Sequence, residues 1–225
     1  MPLFQKQFGD YPNMFIRLFK EIDPEITFQI YDIRNNDYPK DLNECNAYIT
    51  TGSRASTYDD LDWIPPLKQL FKDLYQAKVK LVGICFGHQL IADTFGGNTT
   101  KSDKGWGVGV SQNQVLKTQH WMKPELAQVN VIVSHQDQVT QLPDNAELLM
   151  ESDFCPNYMY QIGNEILTIQ GHPEFSKEYA ETLMRHRESS IGNAAFHHGL
   201  SSLSLQVHDK ELMQWIVQFM LEDSH

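Results

Sequence analysis

The chain has 225 residues, of which 41% are hydrophobic and 21% are charged, values typical of a globular protein rather than a disordered or fibrous one. Its 29 acidic and 18 basic side chains give a formal net charge of −11, and no dense block of lysine and arginine is available to neutralise phosphates. Nucleic acid and membrane surfaces are therefore not expected partners, and the length predicts one domain over residues 1–225.

The first half of the chain alternates between helix and strand patterns. Apolar residues fall on one helical stripe or form short strand-like runs in five consecutive segments: helix 12–23, strand 26–33, strand 47–51, helix 65–76 and strand 79–84. Parallel neighbours in a sheet need a crossover helix between them. The alternation therefore predicts an α/β fold with an open, mostly parallel sheet flanked by helices.

Beyond residue 96 the pattern changes to shorter strands joined by Asn, Asp and Pro turns. Strands are predicted at 108–116, 129–133, 147–151 and 159–162, followed by a buried strand at 166–170 and helices at 177–189 and 208–221. This half of the chain predicts a small antiparallel section.

A Gly-x-Cys-x-Gly segment, residues 83–87, follows the buried strand 79–84 and leads into a helical pattern. Glycines permit a tight strand-to-helix turn with a strained central residue, here Cys85. The start of the helix favours the thiolate, and the N–H of Phe86 is aimed where a carbonyl oxygen becomes an oxyanion. These features indicate a nucleophile, although a structural or redox-active cysteine fits the same turn.

A candidate base follows the second buried strand, in the segment Gly171-His172-Pro173-Glu174. Strand ends of a parallel sheet meet at one edge, so His172 is expected to face Cys85 there. Glu174 is close enough in sequence to accept a hydrogen bond from the far imidazole nitrogen and fix the tautomer. A Cys-His-Glu triad is the prediction, and a turn histidine beside an exposed acid is the alternative.

Gly-Ile-Cys-Phe-Gly-His-Gln at 83–89 and Gly-His-Pro-Glu at 171–174, in this order, resemble the class I glutamine amidotransferases. The resemblance implies the flavodoxin-like fold of that family and a triad that takes ammonia from a glutamine side chain. Thr50-Thr51-Gly52-Ser53 is similar to the family's oxyanion loop, which implies that the Gly52 N–H is the second oxyanion donor beside Phe86.

Shorter matches at 52–56, 104–107 and 134–137 resemble free-standing proteins similar to the glutaminase domain of GMP synthase, a group that includes γ-glutamyl peptidases. This likeness implies that Gln89 holds the glutamyl group and that His135, Gln136 and Asp137 lie along the substrate pocket. In one respect the chain departs from the group, because Gln5-Lys6-Gln7 interrupts the hydrophobic strand that usually precedes the first helix. The first core strand is therefore expected to be missing or degenerate.

Together these features predict a cysteine hydrolase that cleaves a small γ-glutamyl substrate, such as glutamine, through a glutamyl thioester. An alternative is a glutaminase subunit that feeds ammonia to a separate synthetase, because we find no P-loop motif and expect no synthetase domain within 225 residues. A non-enzymatic or redox-sensing protein on the same fold is the alternative from another class.

The cysteine, apolar and histidine patterns bear on compartment and cofactors. Three cysteines without a CxxC pair, short apolar runs and no basic-then-apolar signal at the N-terminus lead us to expect a cytoplasmic protein. The nine histidines lack the spacing of a metal site, so neither a metal nor a cofactor is expected.

Overall fold

The structure, a computed structural model, describes residues 8–222. The prediction of a missing or degenerate first strand concerns residues 3–8 and, except for Phe8, lies outside the described residues. Helices and strands then alternate through the first half of the chain: α1 Tyr11–Ile22, β1 Ala47–Thr50, α2 Ile64–Gln76, β2 Lys80–Ile84 and α3 Phe86–Thr94. Helix α1 starts where Asp10 accepts a hydrogen bond from the Asn13 N–H.

The prediction of a strand at 26–33 is wrong, because this segment has no regular backbone pairing and runs into a short 3₁₀ turn at Ile33–Asn35. Its aromatic residues instead pack through their side chains. The Phe28 ring lies 5.7 Å from that of Phe19, and the Tyr31 ring lies 6.4 Å from that of Tyr48. An apolar pattern indicates packing, and it does not separate a paired strand from a packed loop.

The second half begins with strands and ends with helices: β3 Asn98–Lys101, β4 Gly107–Val115, β5 Gln128–His135, β6 Asp137–Gln141, β7 Ala146–Glu151, β8 Met159–Ile162, β9 Ile166–Ile169, α4 Lys177–His186, α5 Glu188–Ile191, α6 Asn193–Ser202 and α7 Asp209–Leu221. Strands β3 and β6 and helix α6 were not predicted from the sequence. Strand β3 is mostly polar and exposed, and α6 is rich in small and polar residues, so neither carries a clear apolar period.

The main sheet has the strand order β1-β2-β9-β8-β7-β4-β5, and β3 pairs with β6 in a separate two-stranded sheet. Strands β1, β2 and β9 pair in parallel, whereas β9-β8, β8-β7, β7-β4 and β4-β5 pair antiparallel. The α/β class, the parallel strands and the antiparallel section are confirmed. Among the described residues the antiparallel strands continue the same sheet rather than forming a small addition to it.

Helices cover both faces of the parallel strands. On one face, α1 and α7 pack against β2 and β9 through residues such as Phe15 and Trp215. On the other, α2 and α3 pack through residues such as Phe71 and Leu90. Strands β2 and β9 are buried throughout and end side by side, with Ile84 opposite Ile169, so the residues that follow them meet at one edge. No helix within residues 8–222 combines the length and the apolar character needed to cross a membrane.

Candidate active site

Cys85 occupies the turn between β2 and α3 with φ +51° and ψ −98°, a conformation that is strained for a residue with a side chain. Its N–H donates to the Ile169 carbonyl at 2.8 Å, which ties the turn to β9. A Cβ on Gly87 would overlap the Thr50 hydroxyl, and one on Gly83 would lie 2.9 Å from the Gly87 carbonyl carbon. Both glycines are therefore required by close packing around the strained residue.

His172 and Glu174 lie at the same edge, just beyond β9. The backbone N–H of His172 donates to the Ile132 carbonyl at 2.8 Å. The ring Nδ1 of His172 lies 2.7 Å from Glu174 Oε1. The imidazole stacks on the Phe175 ring, with centroids 4.0 Å apart and an interplanar angle of 3°. Both the imidazole and the Glu174 carboxylate are buried, so the ring is fixed by packing on its face and by a hydrogen bond at its edge.

The electrostatic environment of His172 favours the imidazolium. Burial by itself lowers the pKa of His172, but the charges of Glu174 and Cys85 and hydrogen bonds to both side chains raise it to about 10. The ring therefore carries a proton at neutral pH. A positively charged His172 in the same cavity as Cys85 is the partner that a thiolate requires.

The two predicted oxyanion donors, Gly52 and Phe86, belong to segments that meet at the nucleophile. Gly52 follows β1 and lines the same cavity as Cys85, and a Cβ on it would lie 2.8 Å from His172 Cε1. Phe86 is the first residue of α3, where a backbone N–H has no acceptor within the helix. The Phe86 ring packs against Trp63 with centroids 5.4 Å apart, which anchors the start of the helix.

The residues predicted to hold substrate lie together, although they do not line the cavity beside Cys85. The Asp137 carbonyl accepts a hydrogen bond from Gln89 Nε2 at 2.8 Å and lies 3.0 Å from His135 Nδ1. The Gln136 carbonyl accepts from the Ser102 N–H at 2.9 Å. Burial and the charge of His172 lower the pKa of His135 to about 4, so its ring is neutral at physiological pH.

Gln170 connects this group to the nucleophile, and it was not predicted from the sequence. Its Nε2 donates to Cys85 Sγ at 3.6 Å, and its Oε1 accepts from Gln89 Nε2 at 3.0 Å. Gln170 is fully buried and directly follows β9, a buried and mostly apolar strand. A polar residue at that position, directly before the His172 turn, was the signal that could have identified it.

The cavity beside the nucleophile is small. Residues from several separate parts of the chain line it: Tyr11, Gly52, Ser53, Cys85, Ser134, His172, Phe175, Leu183 and Arg187. Tyr11 belongs to the first turn of α1 and Arg187 follows α4, outside both motifs. The sequence carried no signal for these two residues, because only the fold brings them to Cys85. Within residues 8–222, no cluster of three or more His, Cys, Asp or Glu side chains is arranged to hold a metal ion.

Comparison with known proteins identifies the family. The sequence model of the family described as "Glutamine amidotransferase class-I" matches residues 12–188. The curated protein "Gamma-glutamyl peptidase 4" of Arabidopsis thaliana is 34% identical over 182 residues, which cover 77% of this chain and 71% of that protein. The chain belongs to the class I glutamine amidotransferase family.

Two further matches extend this result. One subunit of the glutamine-hydrolysing GMP synthase of Pyrococcus abyssi is 31% identical over 146 residues, covering 64% of this chain and 77% of that protein. The crystal structure of a glutamine amidotransferase from Thermotoga maritima superposes with a TM-score of 0.76 over 92% of this chain and 90% of that one, at 16% identity, and confirms the fold. The resemblance and the enzyme class predicted from the motifs are confirmed, so this chain is an enzyme of the family's class.

Proposed function

We propose that this enzyme is a cysteine hydrolase that cleaves glutamine or γ-glutamyl amide bonds through a glutamyl thioester. The observation that carries the proposal is the buried contact of 2.7 Å between His172 and Glu174, with the same imidazole lining one cavity together with Cys85. The name "Gamma-glutamyl peptidase" of the Arabidopsis relative supports a γ-glutamyl substrate. The proposed substrate is therefore a small molecule with a γ-glutamyl amide, such as glutamine.

In the first half-reaction the Cys85 sulfur, paired with the protonated His172, attacks the γ-carbonyl carbon as a thiolate. The carbonyl oxygen takes up the negative charge and is stabilised by the N–H groups of Gly52 and Phe86. The C–N bond then breaks, and the His172 imidazolium gives its proton to the departing amine. Ammonia or an amine leaves, and the glutamyl group remains on sulfur as a thioester.

In the second half-reaction water gives a proton to His172 and attacks the thioester carbonyl. The C–S bond breaks, and glutamate is released as its new carboxyl group loses a proton to solvent. Cys85 leaves as a thiolate, and His172 keeps the proton taken from water, which restores the starting pair. Throughout both steps the Glu174 carboxylate holds the imidazole in one tautomer and stabilises its positive charge.

The proposal is tested by measuring amine release from L-glutamine and γ-glutamyl-alanine with the unmodified enzyme, Cys85→Ala and Cys45→Ala. We expect Cys85→Ala to lose all measurable release, because no other group supplies the thioester. The Cys45→Ala control should retain activity, since Cys45 lies before β1, outside the cavity. Unchanged turnover in Cys85→Ala would refute the mechanism.

A second candidate function is that of a glutaminase subunit working with a separate synthetase. The similarity to one subunit of the Pyrococcus GMP synthase favours it, since the name of that protein describes part of a glutamine-hydrolysing synthetase. This alternative predicts glutamine hydrolysis that appears only when a synthetase protein is added. The free-standing hydrolase predicts γ-glutamyl turnover by the chain alone.

A further inference from the structure

Arg187 places a half-buried positive charge on the wall of the cavity that contains Cys85 and His172. It lies between α4 and α5. Among residues 8–222 it forms no ion pair with a carboxylate, and its one side-chain hydrogen bond is to Ser134 Oγ, at 3.4 Å. A guanidinium has five N–H donors, so most of this group's donors are free for a ligand.

The neighbours of Arg187 suit an anionic ligand. The Trp106 ring centre lies 5.9 Å from the guanidinium carbon, close enough to hold the planar group in place. Tyr11 and Ser134, whose hydroxyls can donate hydrogen bonds, line the same cavity. In a chain of net charge −11, a local cation is also what would offset the repulsion of a negatively charged substrate.

The lining of the cavity indicates which half of the substrate it receives. His172, which protonates that amine in the proposed mechanism, lines the cavity together with Arg187. Gln89, which is predicted to hold the glutamyl group, does not line it. Nor do His135, Gln136 and Asp137, which are predicted to lie along the substrate pocket. A group that contacts Arg187 would therefore belong to the leaving half of the substrate.

We propose that Arg187 binds a carboxylate on the leaving amine, so that the site prefers γ-glutamyl amino acids and peptides with a free C-terminus to glutamine. The inference rests on the proposed γ-glutamyl hydrolase function. Arginine suits this role because its fork of N–H groups matches a carboxylate with two parallel hydrogen bonds. Arg187 is thus a residue that determines specificity, and the sequence motifs did not identify it.

The test compares γ-glutamyl-alanine with γ-glutamyl-alaninamide, which share the glutamyl group and differ in the C-terminal carboxylate, and includes L-glutamine. For the unmodified enzyme we expect kcat/KM to be about 10- to 100-fold higher for the acid than for the amide, as one charge-assisted contact allows. Arg187→Met should bring this ratio close to one, mainly through a higher KM for the acid. Arg187→Lys should keep part of the preference. The matched control is Arg185→Met, because exposed Arg185 pairs with Glu181 outside the cavity, and it should keep the full ratio.

The outcomes separate the inference from the function on which it rests. If the unmodified enzyme cleaves none of the three substrates, the proposed function and the inference both fail. If it cleaves them without preferring the acid, or if Arg187→Met keeps the preference, the function stands and the inference is overturned. An equal loss on all three substrates would also overturn it, since Arg187 would then act on the shared glutamyl group or on folding.

Discussion

Replacing Glu174 with Gln tests whether a buried carboxylate sets the charge of His172. The two side chains are 4% (His172) and 0% (Glu174) exposed and only 2.7 Å apart, so little water screens their attraction. Removing one partner of a buried charge pair costs about 3–5 kcal/mol. If that cost falls on the imidazolium that the reaction needs, kcat/KM should decrease by about 10²- to 10⁴-fold.

The same substitution should change the pH dependence in a defined direction. In the unmodified enzyme the raised pKa keeps His172 protonated until the pH approaches about 10. Activity that depends on the imidazolium should therefore persist at neutral pH and decline as the pH rises through that value. The stability contribution of the raised pKa is likewise complete below the ordinary value of 6.5 and lost as the pH rises through about 10. In Glu174→Gln burial acts without the carboxylate, so both declines should occur at lower pH.

Amine release from γ-glutamyl-alanine, measured from neutral to alkaline pH, gives the rate profile, and NMR titration of the His172 ring gives the pKa directly. Glu178→Gln is the matched control, since Glu178 is an exposed residue of the first turn of α4 and the substitution is the same. If Glu174→Gln retains kcat/KM within about threefold of the unmodified enzyme, or if its His172 titrates unchanged, Glu174 does not act on the imidazole as argued.

Three further substitutions test the packing around the nucleophile. Gln170→Leu keeps the side-chain size but removes the hydrogen-bond donor to the Cys85 sulfur. We expect kcat to fall about 10-fold and iodoacetamide to alkylate that sulfur more slowly, and an unchanged alkylation rate would contradict this. Gly52→Ala brings a Cβ to 2.8 Å from His172 Cε1 and should lower kcat/KM by about 10- to 100-fold while the thermal midpoint of unfolding stays unchanged. A lower thermal midpoint would indicate that the activity is lost through misfolding. Gly87→Ala overlaps Thr50 and should reduce the free energy of unfolding by about 1–3 kcal/mol in urea titrations; Thr50→Ala should relieve part of that cost.

The central part of the fold and of the site could be predicted from the sequence because its signals are local. Buried parallel strands such as 79–84 and 166–170 are mostly apolar runs, and residues directly after them must meet at the carboxyl edge. The positions of Cys85 and His172 follow from that rule, and the glycines that flank Cys85 report the tight turn. Each of these features depends on a short run of neighbouring residues in the chain.

The features that were missed depend on contacts distant in sequence. The 26–33 segment has the apolar pattern of a strand. The sequence does not show that its aromatic rings pack against the core while its backbone forms no hydrogen-bonded pairing with the sheet. Strands β3 and β6 are short, and within residues 8–222 each pairs only with the other. In the sequence Arg187 is a basic residue just after a helix, a position where cations are common in proteins. Its position beside Cys85 follows from the docking of α4, which no local pattern encodes.

Asp137 connects the loop that begins at Gly52 to Gln89, two features that the motifs predicted separately. Its carboxylate accepts hydrogen bonds from Ser56 Oγ at 2.6 Å and from the Tyr58 hydroxyl at 3.1 Å, on the loop that begins at Gly52. Its carbonyl accepts from Gln89, which in turn donates to the Gln170 amide that contacts the nucleophile sulfur. One residue therefore ties the loop that carries the proposed oxyanion donor to the chain of amides that reaches the sulfur. Because catalysis of acyl transfer requires the donor and the nucleophile to hold a fixed separation, a role for Asp137 in positioning both accounts for its place one layer outside the cavity.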